Sequence, residues 1–307
     1  MTYILKTQDL TKVFSGKEVV SHVNMCVRKG EIYGFLGPNG AGKTTVMKLI
    51  TNILKPSFGN IEVFGSELTN QSFDILKRMG NIIEYPIFYE KLTARENLEL
   101  HCQYMGYHQQ DAIHEALSMV HLTNINQKSV KNFSLGMKQR LGVARAIITK
   151  PELLIMDEPI NGLDPVGIKE MRELFRRLCD DYGITILVSS HILSEIEQIA
   201  DTIGVINNGH LINQVKMKTI KDYKKEYIEI VCSQCHQASF ILDNELGIHN
   251  FKVMDDKILR IYDTHITQSH IAKTLILNDI TIDSIRKKER SLEEYFFDMI
   301  NGGAIID

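Results

Sequence analysis

A glycine-rich stretch between an apolar segment and a helix-like segment carries the residue types that bind phosphate groups. It reads Gly-x-x-x-x-Gly-Lys-Thr and comprises Gly37, Pro38, Asn39, Gly40, Ala41, Gly42, Lys43, Thr44 and Thr45. Glycines let backbone N–H groups turn towards phosphate oxygens, and the start of the following helix adds its positive dipole end. Lys43 would reach the β- and γ-phosphates, and the Thr44 hydroxyl would hold Mg²⁺. A glycine turn that binds nothing is the alternative, but the complete spacing and the flanking segments favour a nucleoside triphosphate site.

Two acidic residues and one histidine follow apolar segments that have the pattern of buried parallel strands. Asp157 and Glu158 come directly after Leu153–Met156, and His191 follows Ile184–Val188 after two serines. The carboxyl ends of parallel strands face the ligand crevice of a sheet. There Asp157 can hold Mg²⁺, Glu158 can accept a proton from an attacking water, and His191 can contact a γ-phosphate or orient that water. Two solvated acids and an incidental histidine are the alternative interpretation.

The segment Phe133–Arg140 predicts a second anion site. Ser134 fits an N-cap, because a helix-like stretch begins directly after it. Exposed N–H groups, the Ser134 hydroxyl and close backbone access at Gly136 suit an anion. Since Lys43 already serves one triphosphate, a second anion site on a separate helical region makes sense if it meets a nucleotide held by another subunit.

The alternation of apolar strands with helix-like segments predicts an α/β fold with short strands near the N-terminus. A helical subdomain is expected over about 86–147, with Thr93–Glu96 as a capping box. The nucleotide-binding domain should span 1–215, and a lysine-rich linker should follow over 216–226. These lysines would form a solvated helix face, or contact anionic lipid or a partner. Residues 227–307 have the β-α-β-β-α-β order of a small ferredoxin-like α+β domain.

Composition excludes several classes of function. The chain has 307 residues, is 44% hydrophobic and 24% charged, and carries a formal net charge of −3. It shows no basic excess that would indicate nucleic acid, no apolar run long enough for a membrane span, and no signal-peptide pattern. Five cysteines suit a reducing compartment. We therefore expect a cytoplasmic protein whose membrane spans, if it needs any, come from another chain.

Cys232-Ser233-Gln234-Cys235-His236 has the spacing of a haem-attachment site or of half a zinc site. The chain has no second cysteine pair and no export signal. We therefore expect neither haem nor zinc, and the segment should simply link a strand to a helix.

The three motifs together resemble those of the nucleotide-binding subunit of an ABC transporter. Gly37–Thr45 is similar to the Walker A motif of that family, and Leu153–Glu158 is similar to Walker B with its catalytic glutamate. Phe133–Met137 resembles the signature Leu-Ser-Gly-Gly-Gln, with Ser134 and Gly136 kept. The motifs occur in the family order, and the resemblance covers about residues 3–213.

Three further positions follow the same resemblance. Asn161–Asp164 is similar to the D-loop, His191 to the switch histidine, and Phe14 to the aromatic residue that stacks on adenine. The resemblance implies a P-loop NTPase fold of the ABC type, with an antiparallel β portion, and implies ATP and Mg²⁺ as ligands. It also implies a homodimer in which each ATP lies between Gly37–Thr45 of one subunit and Ser134–Gly136 of the other.

The chain departs from the family pattern at three positions. Leu135 replaces the first signature glycine and Met137 replaces the glutamine, although Ser134 and the Gly136 N–H should still be presented. Glu84 stands where most ABC subunits carry glutamine. Its charged oxygen would bind Mg²⁺ more strongly while adding negative charge near the γ-phosphate, so we predict that Glu84 is a metal ligand that couples nucleotide state to a membrane partner. A solvated loop acid is the alternative.

A glutamate at this position resembles the subgroup that serves bacitracin resistance and lantibiotic self-immunity. Phe88–Leu98, the signature form Phe133–Arg140 and the tail Leu292–Phe296 are similar to that subgroup too. The resemblance implies an ATPase subunit that powers a separate membrane permease and lies on the inner face of the cell membrane through it. Its cargo would be a peptide antibiotic, and Tyr85–Leu92 with the region around Glu84 would contact the permease.

Other functions remain open at the level of sequence. One is a regulatory module in which nucleotide state signals to a sensor, against which the intact Glu158 and His191 argue. Another is a soluble ABC ATPase of repair or translation, although the chain has neither a coiled-coil insertion nor a second ATPase unit. A switch GTPase is disfavoured, because no Asn-Lys-x-Asp motif is present.

Overall fold

The structure is a computed structural model that describes residues 2–109, 111–123, 128–222, 226–263, 265–289 and 294. The chain divides into two compact units, Met1–Met217 and Lys218–Asp307. No helix among the described residues is long and apolar enough to cross a membrane.

The first unit alternates strands and helices along the chain. Its strands are β1 (Tyr3–Phe14), β2 (Lys17–Val23), β3 (Cys26–Arg28), β4 (Ile32–Leu36), β5 (Phe58–Val63), β6 (Ser66–Glu67), β7 (Met79–Ile82), β8 (Leu153–Met156), β9 (Thr185–Ser190), β10 (Thr202–Asn207) and β11 (His210–Lys216). Its helices are α1 (Lys43–Ile50), α2 (Phe73–Lys77), α3 (Ala94–Met105), α4 (Ala112–Met119), α5 (Leu135–Ile147), α6 (Pro165–Asp180) and α7 (Leu193–Glu197). Helix α8 (Met217–Asp222) begins at the last residue of this unit.

Two sheets form in the described part of this unit. In the first, β1 pairs antiparallel with β2, β3 and β5, and β5 continues to β6. In the second the order is β11-β10-β4-β9-β8-β7, with parallel pairing from β10 to β7 and antiparallel pairing between β10 and β11. The α/β class with an antiparallel β portion, predicted from the sequence, is confirmed.

The central strands of the parallel sheet are buried along their whole length. Every residue of β4, β8 and β9 is buried, as their continuous apolar runs indicate. Tyr33 and Phe35 of β4 are fully buried together with Met47 and Leu49 of α1. This core fixes the strand ends from which the polar residues of the candidate site project.

Three helices, α3, α4 and α5, lie in the region predicted to be helical. The Thr93 hydroxyl accepts from Glu96 N, and the Glu96 side chain accepts from Thr93 N, so the predicted capping box is present at the start of α3. Ser134 caps α5 as predicted. Helix α6 begins at Pro165, because Asp164 caps it and proline suits the first helical position.

The second unit contains β12 (Glu226–Cys232), α9 (Cys235–Leu246), β13 (Phe251–Val253), β14 (Ile258–Ile261), α10 (Gln268–Leu277) and β15 (Ile282–Glu289). Its strands form an antiparallel sheet in the order β13-β14-β12-β15. Assignment of this unit to the ferredoxin-like folds stays a prediction. Part of the predicted linker 216–226 is the helix α8, and the tail Leu292–Phe296 lies outside the described residues except for Glu294.

Candidate active site

The glycine-rich loop connects β4 to α1, as its sequence context predicted. Gly40 and Gly42 have φ of 80° and 106°, in the left-handed region that favours glycine. At Gly37 an added Cβ would lie 2.3 Å from Ile206 O, so only glycine fits there. Gly42 caps α1 without a side-chain hydrogen bond, which leaves first-turn N–H groups available to an anion. These features fit the phosphate groups of a nucleotide.

Lys43, the first residue of α1, is buried, and its ammonium group has three polar partners. Its Nζ donates to Gly37 O at 2.7 Å and to Pro38 O at 3.2 Å, and it lies 3.2 Å from Glu158 Oε1. A buried ammonium group requires such partners. An ammonium has three N–H donors, so a phosphate oxygen that binds Lys43 has to replace one of these contacts.

Thr44 and Asp157 meet at the carboxyl end of β8. Thr44 Oγ1 donates to Asp157 Oδ2 at 2.6 Å, and Ser189 Oγ donates to Asp157 Oδ1 at 2.7 Å. Ser189 Oγ also accepts from Glu158 N at 2.8 Å. Hydroxyl and carboxylate oxygens are the ligands that Mg²⁺ prefers, so this pair fits that ion. Ser189 was not predicted as a site residue.

Glu158 and His191 lie together, as their positions at two strand ends predicted. His191 Nδ1 lies 2.7 Å from Glu158 Oε2. The backbone of Glu158 has φ of 49°, an uncommon conformation for a residue other than glycine and one that recurs at functional sites. The Glu158 carboxylate therefore contacts both Lys43 and His191 from a tightly turned backbone.

Ser134 and Gly136 form a separate part of the surface. Ser134 Oγ accepts from Met137 N at 3.2 Å in the first turn of α5. Leu135, which replaces the first glycine of the family signature, is exposed. Its Cδ2 atom packs closely on Gly162, where an added Cβ would lie only 3.0 Å from it. Among the described residues, no hydrogen bond or ion pair joins Ser134 or Gly136 to the Gly37–Thr45 loop. A single copy of the chain thus makes no such bond between the two predicted halves of the nucleotide site.

Asp164 and Phe14 have local roles in the structure. Asp164 Oδ1 accepts from Gly167 N at 2.9 Å, which caps α6. Phe14 ends β1 with an exposed ring, and Lys12 Nζ lies 5.2 Å from the ring centroid. The cross-subunit role of Asp164 and the stacking of Phe14 on adenine stay predictions.

Glu84 is in the loop after β7, with φ of 63°. Its Oε1 lies 2.5 Å from Nζ of Lys48, a residue of α1 that was not predicted as part of the site. No hydrogen bond joins Glu84 to Thr44 or Asp157 in the described part of the chain. The predicted role of Glu84 as a metal ligand stays a prediction.

The cysteine pair of the second unit is buried in the core of that unit. Cys232 Sγ and Cys235 Sγ lie 3.3 Å apart, where β12 ends and α9 begins. Burial, with the neighbouring Cys232, raises the pKa of Cys235 to about 12. Within the described residues, no group of three or more His, Cys, Asp and Glu side chains is placed to hold a metal ion. The expectation of neither haem nor zinc stays a prediction.

The fold and the site together define a P-loop nucleoside triphosphatase. The family model described as "ABC transporter" matches residues 20–161. YcbN of Bacillus subtilis (strain 168), an uncharacterised ABC transporter ATP-binding protein, is 57% identical over 99% of both chains. The bacitracin transport ATP-binding protein BcrA of Bacillus licheniformis is 45% identical over 99% of this chain and 100% of its own length. The lantibiotic transport ATP-binding protein SrtF of Streptococcus pyogenes is 44% identical over 68% of this chain and 89% of its own.

Solved structures of ABC transporter ATP-binding subunits have folds similar to that of this chain. One described as the ATP-binding subunit of an ABC transporter has a TM-score of 0.64 and 29% identity, and covers 72% of this chain and 92% of its own. The dimeric cassette MJ0796, bound to ADP and Pi, has the same fold, with a TM-score of 0.63 and 23% identity over 69% of this chain and 98% of its own. The chain belongs to the family of ABC transporter ATP-binding proteins. It is an ATPase, and the non-transport alternatives raised by the sequence are not favoured.

Proposed function

We propose that this chain hydrolyses ATP to power a separate membrane permease that exports or removes a peptide antibiotic of the bacitracin or lantibiotic type. The observation that carries the proposal is the 45% identity to BcrA over 99% of this chain. That match extends beyond the first unit, Met1–Met217, into the second. The protein would lie on the inner face of the cell membrane through its permease.

The geometry supports Glu158 as the general base of the hydrolysis. A carboxylate placed beside the phosphate-binding lysine can accept a proton from a water that attacks the γ-phosphate. His191 holds the other carboxylate oxygen and so keeps Glu158 oriented. Lys43 and the N–H groups at the start of α1 stabilise the charge that develops on the phosphate oxygens.

Thr44 and Asp157 would hold Mg²⁺, which neutralises phosphate charge when bound. Ser189 keeps the Asp157 carboxylate in place, because it donates to the oxygen that Thr44 does not use. Glu84, from the loop after β7, would supply a further charged oxygen to the metal.

The active form would be a head-to-tail homodimer, as the dimeric MJ0796 cassette suggests. Lys43 and Glu158 would belong to one half of each ATP site, and Ser134, Gly136 and Asp164 of the second copy to the other half. Closure of the dimer on ATP would drive the permease, and hydrolysis would reopen it.

Mixing two inactive variants tests this arrangement. Lys43→Ala and Ser134→Arg each damage both sites of a homodimer, but their heterodimer keeps one intact site. Co-expression from one plasmid should give more ATPase activity than the sum of the separate variants. The matched control mixes Lys43→Ala with Glu158→Gln, which lie in the same half-site and should give no recovery. Recovery in both mixtures, or in neither, contradicts the head-to-tail site.

The permease would contact an apolar surface on the loop between β7 and α3. Tyr85, Ile87 and Tyr89 are exposed there, and exposed apolar groups that lie together mark interaction sites. The loop is held firmly, because Arg145 Nη1 donates to Ile87 O at 2.7 Å and the Asn97 side chain bonds both Tyr89 N and Tyr89 O. A cavity of about 350 Å³ nearby is lined by Arg145 and His101 and would receive a permease segment.

Antibiotic protection tests the proposed cargo. The chain would be expressed in a sensitive bacterium with and without a candidate membrane permease, and bacitracin and a lantibiotic would be titrated separately. Protection should require both the chain and the permease, and Glu158→Gln should abolish it. Full protection by Glu158→Gln would instead support a regulatory module, and no protection against either peptide would contradict the proposed cargo.

A further inference from the structure

An ion pair links the helix that begins at the phosphate-binding loop to the loop that carries Glu84. Lys48 is in α1, one helical turn after Thr44, and its Nζ lies 2.5 Å from Glu84 Oε1. The two residues are 36 positions apart in sequence. This contact therefore joins the segment that would hold the metal through Thr44 to the residue that replaces the usual glutamine.

The ion pair between Lys48 and Glu84 is exposed enough for Glu84 to exchange Lys48 for another partner. The Glu84 side chain is 60% exposed and the Lys48 side chain 27% exposed. Exposed ion pairs contribute little to stability, because water screens the charges and the side chains lose rotamer freedom. A divalent cation carries twice the charge of an ammonium group and takes carboxylate oxygens as direct ligands, so it can compete with Lys48 for Glu84.

We propose that Lys48 is a positioning residue for the ATPase reaction, which competes with the divalent cation for the Glu84 carboxylate and thereby sets how tightly the site holds the metal. The inference rests on the proposed metal role of Glu84. A carboxylate neutralised by Lys48 is a poorer metal ligand, so metal binding by Glu84 requires release of the α1 contact. The Glu84 carboxylate can thus either bind the metal or hold its loop to α1 through Lys48, and these two states are in equilibrium.

The proposed competition depends on the negative charge of the Glu84 carboxylate. A glutamine in place of Glu84 would offer Lys48 only a neutral oxygen, so the competition would largely disappear. In the described part of the chain, Glu84 is the acidic residue that forms an ion pair with Lys48. A substitution at Lys48 should therefore act on the metal through Glu84 and depend on its charge.

Metal affinity, rather than activity, is the direct measurement. Free Mn²⁺ would be followed by its electron paramagnetic resonance signal during titration of the full chain with a non-hydrolysable ATP analogue. Lys48→Met should tighten Mn²⁺ binding roughly two- to fivefold, the range that an exposed ion pair supports. Lys48→Arg keeps the charge and should restore an affinity near that of the unaltered chain.

The decisive comparison repeats Lys48→Met in the Glu84→Gln background. There the substitution should leave Mn²⁺ affinity unchanged, because the competing carboxylate is gone. An equal gain in both backgrounds would show that Lys48 acts only as a distant charge and would overturn the proposal, as would no gain in either. Thermal unfolding of each variant confirms that it is folded.

The same experiment separates this inference from the proposed function. If the unaltered chain hydrolyses ATP and Glu84→Gln weakens Mn²⁺ binding, but Lys48→Met has no effect, only the role of Lys48 fails. If Glu84→Gln binds Mn²⁺ as tightly as the unaltered chain, the metal role of Glu84 fails and the inference fails with it.

Discussion

His191 Nδ1 lies 2.7 Å from Oε2 of Glu158, while Oε1 of the same carboxylate lies 3.2 Å from Nζ of Lys43. The three residues come from three elements, since Lys43 begins α1, Glu158 follows β8 and His191 follows β9. Both oxygens of the proposed general base are thus held by partners from two other elements, one at the start of α1 and one after β9. The orientation of the Glu158 carboxylate therefore depends on the packing of β4, β8 and β9 and not on the local backbone alone.

Replacement of Glu158 by glutamine should abolish hydrolysis while leaving nucleotide binding intact. The amide keeps the shape of the side chain but cannot accept a proton from water, so we expect the rate to fall by about 10²- to 10⁴-fold. Lys43 loses an anionic partner at the same time, so affinity for ATP should be maintained or increased. Phosphate release and the binding of a fluorescent ATP analogue measure the two effects.

Glu152→Gln is a matched control for this substitution. Glu152 immediately precedes β8 at the opposite end of the strand, where it pairs with Lys29 and Arg78. Its replacement should leave hydrolysis close to that of the unaltered chain. A similar loss in both variants would point to a structural effect on β8 and contradict the catalytic role of Glu158.

Ser189→Ala should weaken both the fold and the metal site. The side chain is fully buried, donates to Asp157 Oδ1 and accepts from Glu158 N. Its removal leaves a buried Asp157 carboxylate oxygen and the Glu158 N–H without this partner, which should lower the free energy of unfolding by about 1–3 kcal/mol. Urea unfolding measures the stability, and the Mg²⁺ concentration for half-maximal ATPase activity measures the metal site.

The neighbouring Ser190→Ala variant separates these two effects. Ser190 is also buried, but its hydroxyl bonds to Glu195 and to Ile192 instead of Asp157. It should lower stability without changing the Mg²⁺ requirement. If both variants shift the Mg²⁺ requirement equally, Ser189 does not act through Asp157.

Local sequence patterns predicted the parts of the site whose chemistry is contained in a few consecutive residues. Gly37–Thr45, Asp157 with Glu158, and His191 each follow a continuous apolar run, and such runs formed the buried strands β4, β8 and β9. The capping box at Thr93 and the cap at Ser134 are likewise local signals. The buried strands and the helix caps were predictable because an apolar run and a capping residue are signals carried by consecutive residues.

Contacts between distant residues were not predictable in this way. Ser189 reaches Asp157 across 32 positions, and Lys48 reaches Glu84 across 36. Serine at a strand end and lysine on an amphipathic helix are common, so neither residue stands out until the packing of the sheet brings its partner close.

Lys43→Ala should remove the stabilisation that a nucleotide gives to the fold. A ligand at 100 times its dissociation constant stabilises the native state by about 2.7 kcal/mol, which appears as a higher unfolding temperature. The unaltered chain should show this rise with Mg²⁺ and a non-hydrolysable ATP analogue, and Lys43→Ala should not. Lys55→Ala is the control and should preserve the rise, because the Lys55 side chain is exposed and donates to Asn52 rather than to the phosphate-binding loop. A full rise in Lys43→Ala would contradict the phosphate contact of Lys43.

Stability should fall in mild acid because of His101 in α3. Burial, and secondarily the positive charge of Arg145, hold the pKa of His101 below its usual value. The folded chain therefore keeps this imidazole neutral, whereas the unfolded chain takes up a proton as pH falls through about 6.5. The unfolded state then binds more protons, so the free energy of unfolding decreases as pH falls below about 6.5 and is fully restored above it. His101→Gln should flatten the difference between urea midpoints at pH 7 and pH 5.5, whereas His114→Gln, on the exposed side of α4, should preserve it. An unchanged slope in His101→Gln would show that other groups cause the acid sensitivity.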